Sequence, residues 1–430
     1  MDTRTEWTIF VCLEFRLYAN AMKLNYLALA VPLFLLFIGL EYYYSKRKGK
    51  NFFQYAESIA NLNVGIAERL MDVFTTGLFF FVFDYVYKHF AILNIKPTVI
   101  TWILLFLATD LVWYWYHRLA HEMNALWAAH VVHHQSEDFN YTVSARITVF
   151  QAVVRCMFWS ILPLIGFPAL MVSSFLIVHG LYPFFIHTQA LGKWGWFEKI
   201  LVTPTHHSLH HASNPEYLDK NYGDVLIIWD KMFGTFAKEQ KDVKIVFGLT
   251  KQLNSHSFLW QHFHFPLEIY LNFKKAKGIR AKWRVLWGKP DDLNPAYRTV
   301  LERKLLHIKT NVKPTLPLVL RQYVTAQTVF SCILLFVAAL FEHYLSTLQL
   351  FLLSAFIIVS LINSGALLDL RRWIFYLEFI RVILVLITIG VFYPSTWALC
   401  GITAVFVLMI WYFRPMQRYY FRLLYSNSQS

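Results

Sequence analysis

The sequence predicts an all-α polytopic membrane protein, with about nine transmembrane helices and a cytoplasmic helical cap that carries a histidine-ligated dimetal site. Three observations lead there. Apolar residues make up 57% of the 430 residues and charged ones only 15%, whereas soluble domains carry about 25% charge. The apolar residues gather in runs long enough to cross a bilayer, and many of the 17 histidines crowd into a few short boxes. Composition excludes a disordered chain and argues against an ordinary soluble globule. The net charge of +14 suits anionic lipid headgroups and nucleic acid equally, and hydropathy decides for the membrane.

A bilayer core needs about 20 mostly apolar residues per helix. The candidates are 24–44, 73–94, 98–116, 146–165 and 168–187, followed by 322–343, 347–368, 373–393 and 396–413. Lys46, Arg47, Lys48 and Lys50 follow the first span, Arg371 and Arg372 the seventh, and Arg414, Arg418 and Arg422 the ninth. The positive-inside rule places all three clusters in the cytoplasm. Nine alternating spans from an outside N-terminus give the same answer, and they add the ends of spans three and five to that side.

Four regions follow: spans one and two in 1–100, a histidine-rich catalytic region in 101–250, a basic aromatic cytoplasmic segment in 251–321, and four spans in 322–430. The third region sets Lys274, Lys275, Lys277, Arg280, Lys282 and Arg284 beside Trp260, Phe263, Trp283 and Trp287. Such a mixture can bind single-stranded nucleic acid. Next to membrane spans it marks a segment lying on the bilayer, so no nucleic-acid partner is expected. Cys12, Cys156, Cys332 and Cys400 form no C-x-x-C pair and imply neither a disulfide framework nor a thiolate metal site. The apolar run Trp7 to Leu13 is too short for a cleaved leader. Ser426 to Ser430 reads as a frayed end, and no internal repeat or low-complexity run is present.

At this histidine frequency an H-x-x-H-H pattern arises by chance about 0.03 times in such a chain. It occurs twice, as His130, His133, His134 and as His207, His210, His211, with His117 and His121 forming an H-x-x-x-H upstream. On a helix the pair His117/His121 is separated by about 40° and each triplet spans about 100°, so each box is expected to point its imidazoles one way. Neutral imidazole suits iron, zinc and copper, and eight convergent rings exceed what one metal uses. Two metals are expected. A zinc-protease H-E-x-x-H fails, because Ala125 stands where the second ligand belongs. No Glu-x-x-His pair of a carboxylate-bridged di-iron bundle is present.

Asp110 lies inside the third apolar run, where a carboxylate costs about 2.5–3.5 kcal/mol at mid-membrane. It shares one helical stripe with Tyr114, His117 and His121. A role holding a histidine tautomer, directly or through Tyr114, would offset that cost; a buried salt bridge to a basic residue of another span is the alternative.

The boxes H-R-L-A-H at 117–121, H-V-V-H-H at 130–134 and H-S-L-H-H at 207–211 resemble the integral-membrane fatty acid hydroxylase and sterol desaturase superfamily. Their surroundings are closest to its alkylglycerol monooxygenase branch: DLVWYWYHRLAHEMNALWAAHVVHHQSEDFN from Asp110 to Asn140, FFIHT at 184–188, TPTHHSLHH at 203–211, NYGDVLIIWDKMFGTF at 221–236 and VFGLT at 246–250. The resemblance is strong from about 105 to 250 and weaker through the last four spans.

The resemblance implies a non-haem di-iron centre at the cytoplasmic helix ends, bound by His117, His121, His130, His133, His134, His187, His207, His210 and His211. His187 enters the set mainly on the resemblance. Where some relatives carry another histidine one turn earlier, this chain has Pro183, and His206 is assigned to support rather than ligation. The implied reaction is hydroxylation by O2 of the ether-adjacent carbon of an alkylglycerol lipid, which then releases fatty aldehyde. Neither G-x-G-x-x-G nor H-P-G-G occurs, so the reductant is external, and the resemblance implies tetrahydrobiopterin. Glu137 is the candidate for contacting the pterin or tuning the metal; Trp229 and Asp230 belong to the site by resemblance or anchor an interfacial helix. Two alternatives stay open: a sterol or fatty-acyl hydroxylase or desaturase fed by a cytochrome, and a non-catalytic histidine-rich metal carrier. The expected location is the endoplasmic reticulum in a eukaryote, or the cytoplasmic membrane in a bacterium.

Overall fold

A computed structural model describes residues 24–307 and 316–425; Cys12, the run Trp7 to Leu13 and the tail Ser426 to Ser430 lie outside the described residues. Among the described residues the regular structure is helical, apart from two isolated bridges, Leu201 with Leu226 and Ala212 with Phe247. Helices α1 (Ala30–Arg47) and α2 (Tyr55–Phe90) lead to α3 (Val99–Glu122), which turns at Met123 into α4 (Asn124–His130). Then come α5 (Gln151–Trp159), α6 (Ile161–Ile165), α7 (Ala169–His179) and α8 (Tyr182–Ile186). The cap supplies α9 (Pro204–His210), α10 (Ile228–Phe233), α11 (Phe258–Lys275), α12 (Ile279–Trp287) and α13 (Ala296–Leu305). The chain continues with α14 (Leu318–Leu340), α15 (Thr347–Leu368), α16 (Ile374–Phe392) and α17 (Thr396–Tyr425).

Seven segments among the described residues are long and apolar enough to cross a bilayer: α1 with the turn before it, α3, α7 running into α8, and α14 to α17. The protein is an integral, multi-pass membrane protein. The two other expected spans are built differently. The segment 73–94 is mostly the second half of the 36-residue α2, whose first half buries Glu57, Asn61, Asn63 and Glu68. The segment 146–165 starts with the wholly buried Arg146, becomes helical only at Gln151 and breaks at Ser160. The resulting apolar stretch, Gln151–Ile165, falls short of the length a bilayer needs.

The contacts divide the chain into two units. One takes Phe37–Thr328 with Leu361–Arg371 and contains every histidine of the boxes. Its membrane-side core joins Phe83 of α2, Leu105, Tyr116 and Ala120 of α3, Trp159 of α5 and Met171 of α7. A second core, in the cap, joins Val131 and Val132 to Leu249, Leu253, Trp260 and Phe265. Burying a valine side chain contributes about 1.5–3 kcal/mol on removal from water. The two valines inside the H-V-V-H-H box therefore hold its 3-10 turn, Val131–Gln135, in place. Helix α3 starts on a reciprocal cap, with Thr98 Oγ1 accepting from Thr101 N and Thr101 Oγ1 accepting from Thr98 N. It exposes Ile100, Ile103 and Leu104 outward and buries Asp110, Tyr114 and His117. Gly65 lets α2 approach the chain at 145, since a Cβ there would meet the Ala145 carbonyl oxygen at 2.8 Å.

The other unit takes the chain up to Leu36, Val329–Ser360 and the chain from Arg372 on. Within it α16 and α17 pair through aromatic rings, Phe375 and Phe379 lying 5.2 and 4.9 Å from Phe413. Gln417 Nε2 donates to the Tyr376 hydroxyl at 2.8 Å.

Candidate metal centre

All nine expected histidines converge, in two groups. His117, His121, His130, His134 and His210 form one; His133, His187, His207 and His211 form the other. Within each group the ligand nitrogens lie within 4.8 Å of one another. The expectation that each box points one way needs correction, because each H-x-x-H-H box is divided. Its first and last histidines, about 40° apart on a helix, share one group, and the middle one, about 60° off the first on the other side, reaches into the other group. The second box gives His130 and His134 to the first group and His133 to the second; the third gives His207 and His211 to the second and His210 to the first. The groups adjoin, with the rings of His134 and His211 stacked at 4.5 Å.

The interior nitrogens fit cations. His133 Nδ1 donates to the Arg146 carbonyl at 3.2 Å and His187 Nδ1 to the Pro183 carbonyl at 2.5 Å. A carbonyl only accepts, so both Nε2 atoms are bare lone pairs, yet they stand 3.2 Å apart. Similar Nε2 to Nε2 separations recur: 2.9 Å for His207 to His187, 3.2 Å for His211 to His207, 3.1 Å for His134 to His130 and 3.2 Å for His121 to His134. With metal–nitrogen bonds of about 2.0–2.1 Å, neighbouring ligands in a coordination shell sit about 3.0–3.4 Å apart. His117 Nε2 and His210 Nε2 are buried with no hydrogen-bond partner, an expense that a metal would relieve. Burial and the neighbouring imidazoles hold His130, His133, His134, His207, His210 and His211 far below the ordinary histidine value, and burial pushes His187 down to about 4. A lowered basicity favours the neutral imidazole, the form that ligates.

One short loop orients three ligands of the first group. Tyr222 O accepts from His117 Nδ1 at 2.8 Å, Lys220 O accepts from His210 Nδ1 at 2.8 Å, and the Asp219 carboxylate lies 3.5 Å from His121 Nδ1. Asp219 and Asn221 hold left-handed backbone, φ 57° and 55°, a conformation that Asp and Asn tolerate best among residues with a side chain. Asn221 fixes the loop: its Nδ2 donates to His206 O and Ala237 O, each at 3.1 Å, and its Oδ1 accepts from Ala237 N at 2.9 Å. Such outer partners set the tautomer and direction of a metal-binding histidine.

The Fatty acid hydroxylase family matches residues 102–235, a stretch that includes every histidine of both groups. Alkylglycerol monooxygenase of Danio rerio is 34% identical over 76% of this chain and 74% of the relative. Alkylglycerol monooxygenase of Homo sapiens is 32% identical over 84% and 82%. The chain belongs to the alkylglycerol monooxygenase family. A more distant match, 28% identical over 32% of this chain and 42% of the relative, is the ornithine lipid hydroxylase OlsE of Rhizobium tropici. No solved structure matches. Membership makes the chain a membrane oxidoreductase, and its histidine groups are consistent with iron.

In this alkylglycerol monooxygenase relative, Asp110 does not reach a box histidine. It accepts from Val225 N at 2.9 Å, Leu226 N at 3.1 Å, Trp229 Nε1 at 2.9 Å and His179 Nε2 at 3.2 Å. Tyr114 is no bridge to the histidines either, since its hydroxyl meets Thr235 Oγ1 at 3.0 Å and Arg118 at 3.3 Å. The carboxylate faces the chain at 225–229, a few residues after the Tyr222 carbonyl that His117 meets. His179 lies between Asp110 and Asp224, 3.2 and 3.0 Å away, an ion-pair arrangement that needs no metal. Asp230 accepts from Tyr222 N and Gly223 N at 2.8 Å and from Thr235 Oγ1 at 2.7 Å. A side chain at position 223 would press on that carboxylate, 3.0 Å from where its Cβ would stand.

Glu137 is half-buried on the turn after the second box and belongs to neither histidine group. Its neighbour Asp138 is buried, accepts from Gln54 N and Nε2, and is raised by that burial to about 7. His206 Nδ1 accepts from Thr203 N at 3.3 Å, which completes the capping box of Thr203 at the start of α9, and His206 belongs to neither histidine group. Sequence reasoning missed Arg146. Wholly buried, it donates to Val132 O at 2.6 Å, Asn61 Oδ1 at 2.8 Å and Gln135 Oε1 at 2.6 Å, while its own carbonyl orients His133. The signal was an arginine heading an apolar run. It also missed Asp219 and Asn221, for which D-K-N-Y offered only a turn-like composition.

Proposed function

We propose that the chain is a di-iron monooxygenase that hydroxylates the ether-adjacent carbon of alkylglycerol lipids with O2 and tetrahydrobiopterin. The reading is carried by one observation: nine imidazoles in two adjoining groups, on a chain that belongs to the alkylglycerol monooxygenase family. In balance, the ether lipid, O2 and the reduced pterin yield a hydroxylated ether, water and dihydropterin; the hydroxylated ether, a hemiacetal, then loses its alcohol as a glycerol derivative and leaves a fatty aldehyde.

When bound, the irons would supply the oxygen activation that removes hydrogen from an ether-adjacent carbon. The chain's own groups do the rest. His117, His121, His130, His134 and His210 would hold one metal and His133, His187, His207 and His211 the other. Backbone carbonyls at 146, 183, 220 and 222 keep the hydrogens on Nδ1, so that Nε2 stays available for ligation. The low basicity of the cap imidazoles keeps them from leaving as imidazolium. The buried aromatic residues Tyr116 and Trp159 on the membrane side of the first group exclude water from the reacting end. Glu137 contacts the pterin, and the centre faces the cytoplasm.

The test uses the purified full chain in lipid nanodiscs, loaded with ferrous iron and given a 1-O-alkylglycerol and O2. Fatty aldehyde forming with tetrahydrobiopterin and not with a cytochrome system is the expected result. Turnover of a sterol or fatty acyl chain with the cytochrome and none of the ether lipid overturns it. Tightly held zinc or copper with no lipid turnover would assign a metal carrier instead.

A further inference from the structure

On α12 the exposed residues Ile279, Trp283 and Trp287 fall within about 80° of one another around the helix. Their exposures, 80%, 63% and 40%, show that the described residues leave this stripe open. The opposite face is, for Val285 packs against the cap core. Arg280 and Arg284 border one edge of the stripe and Lys282 the other, while exposed Lys274, Lys275 and Lys277 lead into the helix. Arg284 also pairs with Asp292 at 3.2 Å. An apolar stripe flanked by long cations suits an interface where the rings enter the acyl boundary and the cations reach phosphate or carboxylate headgroups.

Two hydrogen bonds tie the end of this helix to the end of α3. Asn124 N donates to Gly288 O at 2.9 Å and Asn124 Nδ2 to Lys289 O at 3.1 Å. Asn124 stands two residues after Glu122, the last residue of the membrane-spanning α3. The end of α12 is thus tied to the end of a span, at the corner between His121 of the first box and His130 of the second.

We infer that α12 is a strap that docks on anionic headgroups of the protein's own bilayer and steadies the corner between the first two histidine boxes. Each basic residue close to an anionic surface strengthens such docking about fivefold. The strap does not depend on which lipid the metal centre oxidises.

The test places the full chain, Cys12→Ser, Cys400→Ser and Ile279→Cys with an environment-sensitive fluorophore at 279, in phosphatidylcholine nanodiscs with or without phosphatidylserine. The Cys12→Ser/Cys400→Ser chain, treated with the same fluorophore, is the control, and iron content confirms the fold. Quenching by nitroxide-bearing lipid should be about twofold or more stronger with phosphatidylserine. Replacing Lys274, Lys275, Lys277 and Arg280 by Gln should return it to the phosphatidylcholine level. If labelling disturbs the helix, tryptic cleavage of the unlabelled chain at Lys277 and Arg280 gives an independent readout, with phosphatidylserine expected to protect. No quenching, quenching that ignores both lipid and charge, or a fluorescence response to single-stranded oligonucleotide in place of lipid would overturn the inference.

Discussion

Asn221 touches no metal and no box-histidine side chain, yet its replacement should impair one metal group and spare the other. Its side chain makes three hydrogen bonds, a buried one to the chain at 206 and two part-buried ones at 237, each worth about 1 kcal/mol. Alanine there would also sit at φ 55°, which adds about 1 kcal/mol that glycine avoids. Asn221→Ala should therefore cost about 4 kcal/mol of stability and Asn221→Gly about 3 kcal/mol. The loop released is the one whose carbonyls orient His210 and His117. Loss of such partners weakens metal affinity about 10–100-fold. Two-site titration with ferrous iron under anaerobic conditions, alongside thermal unfolding, reads both effects. One equivalent should weaken and the other stay unchanged. Equal weakening of both, or a glycine variant less stable than the alanine one, would refute this account of the loop.

Other outcomes follow from the same geometry. Burial pushes His262 and His264 down to about 4; their folded values lie below the unfolded one, so the stability they contribute is present above about pH 6.5 and lost as pH falls toward 4. The melting temperature should drop across that window, less steeply in His264→Asn. Glu137→Gln should raise KM for the pterin about tenfold or more with iron content unchanged, 1.4 kcal/mol being one lost charge-assisted contact; unchanged pterin kinetics would remove Glu137 from that role. Asp110→Asn leaves one acceptor oxygen for donors from Val225, Leu226 and Trp229, and a stranded buried donor costs about 1–3 kcal/mol. Its expected signature is a weaker first iron equivalent and an intact second, measured by the same titration.

Much of the fold and of the candidate site was legible because both rest on strong local patterns. Runs such as 347–368 carry no charged residue and match the helix Thr347–Leu368, and the eight histidines read from the boxes meet, together with His187, which entered on the resemblance. The split of each box was legible in principle, since a triplet spread over about 100° cannot face one point, but which member turns away depends on tertiary placement. What pattern could not give is long-range. Arg146 looked like the start of a span, and only the folded chain shows Asn61, 85 residues away, and the second box gathered around its guanidinium. The partners of Asp110 lie 115 or more residues downstream, apart from His179, where helical periodicity says nothing. The segment 73–94 was apolar enough to read as a span of its own, but the charged and amide side chains before it belong to the same helix and are buried.

The central claim is that two metals are held by ligand sets that cross the boxes. It is tested most directly by counting and titrating iron in the purified full chain and two double variants. The wild type should bind two equivalents. His133→Ala/His207→Ala, taken from different boxes but one group, should weaken a single equivalent about 100-fold or more, while His133→Ala/His134→Ala, adjacent in one box, should weaken both. A single equivalent in the wild type, or the reverse pattern in the two variants, would contradict it.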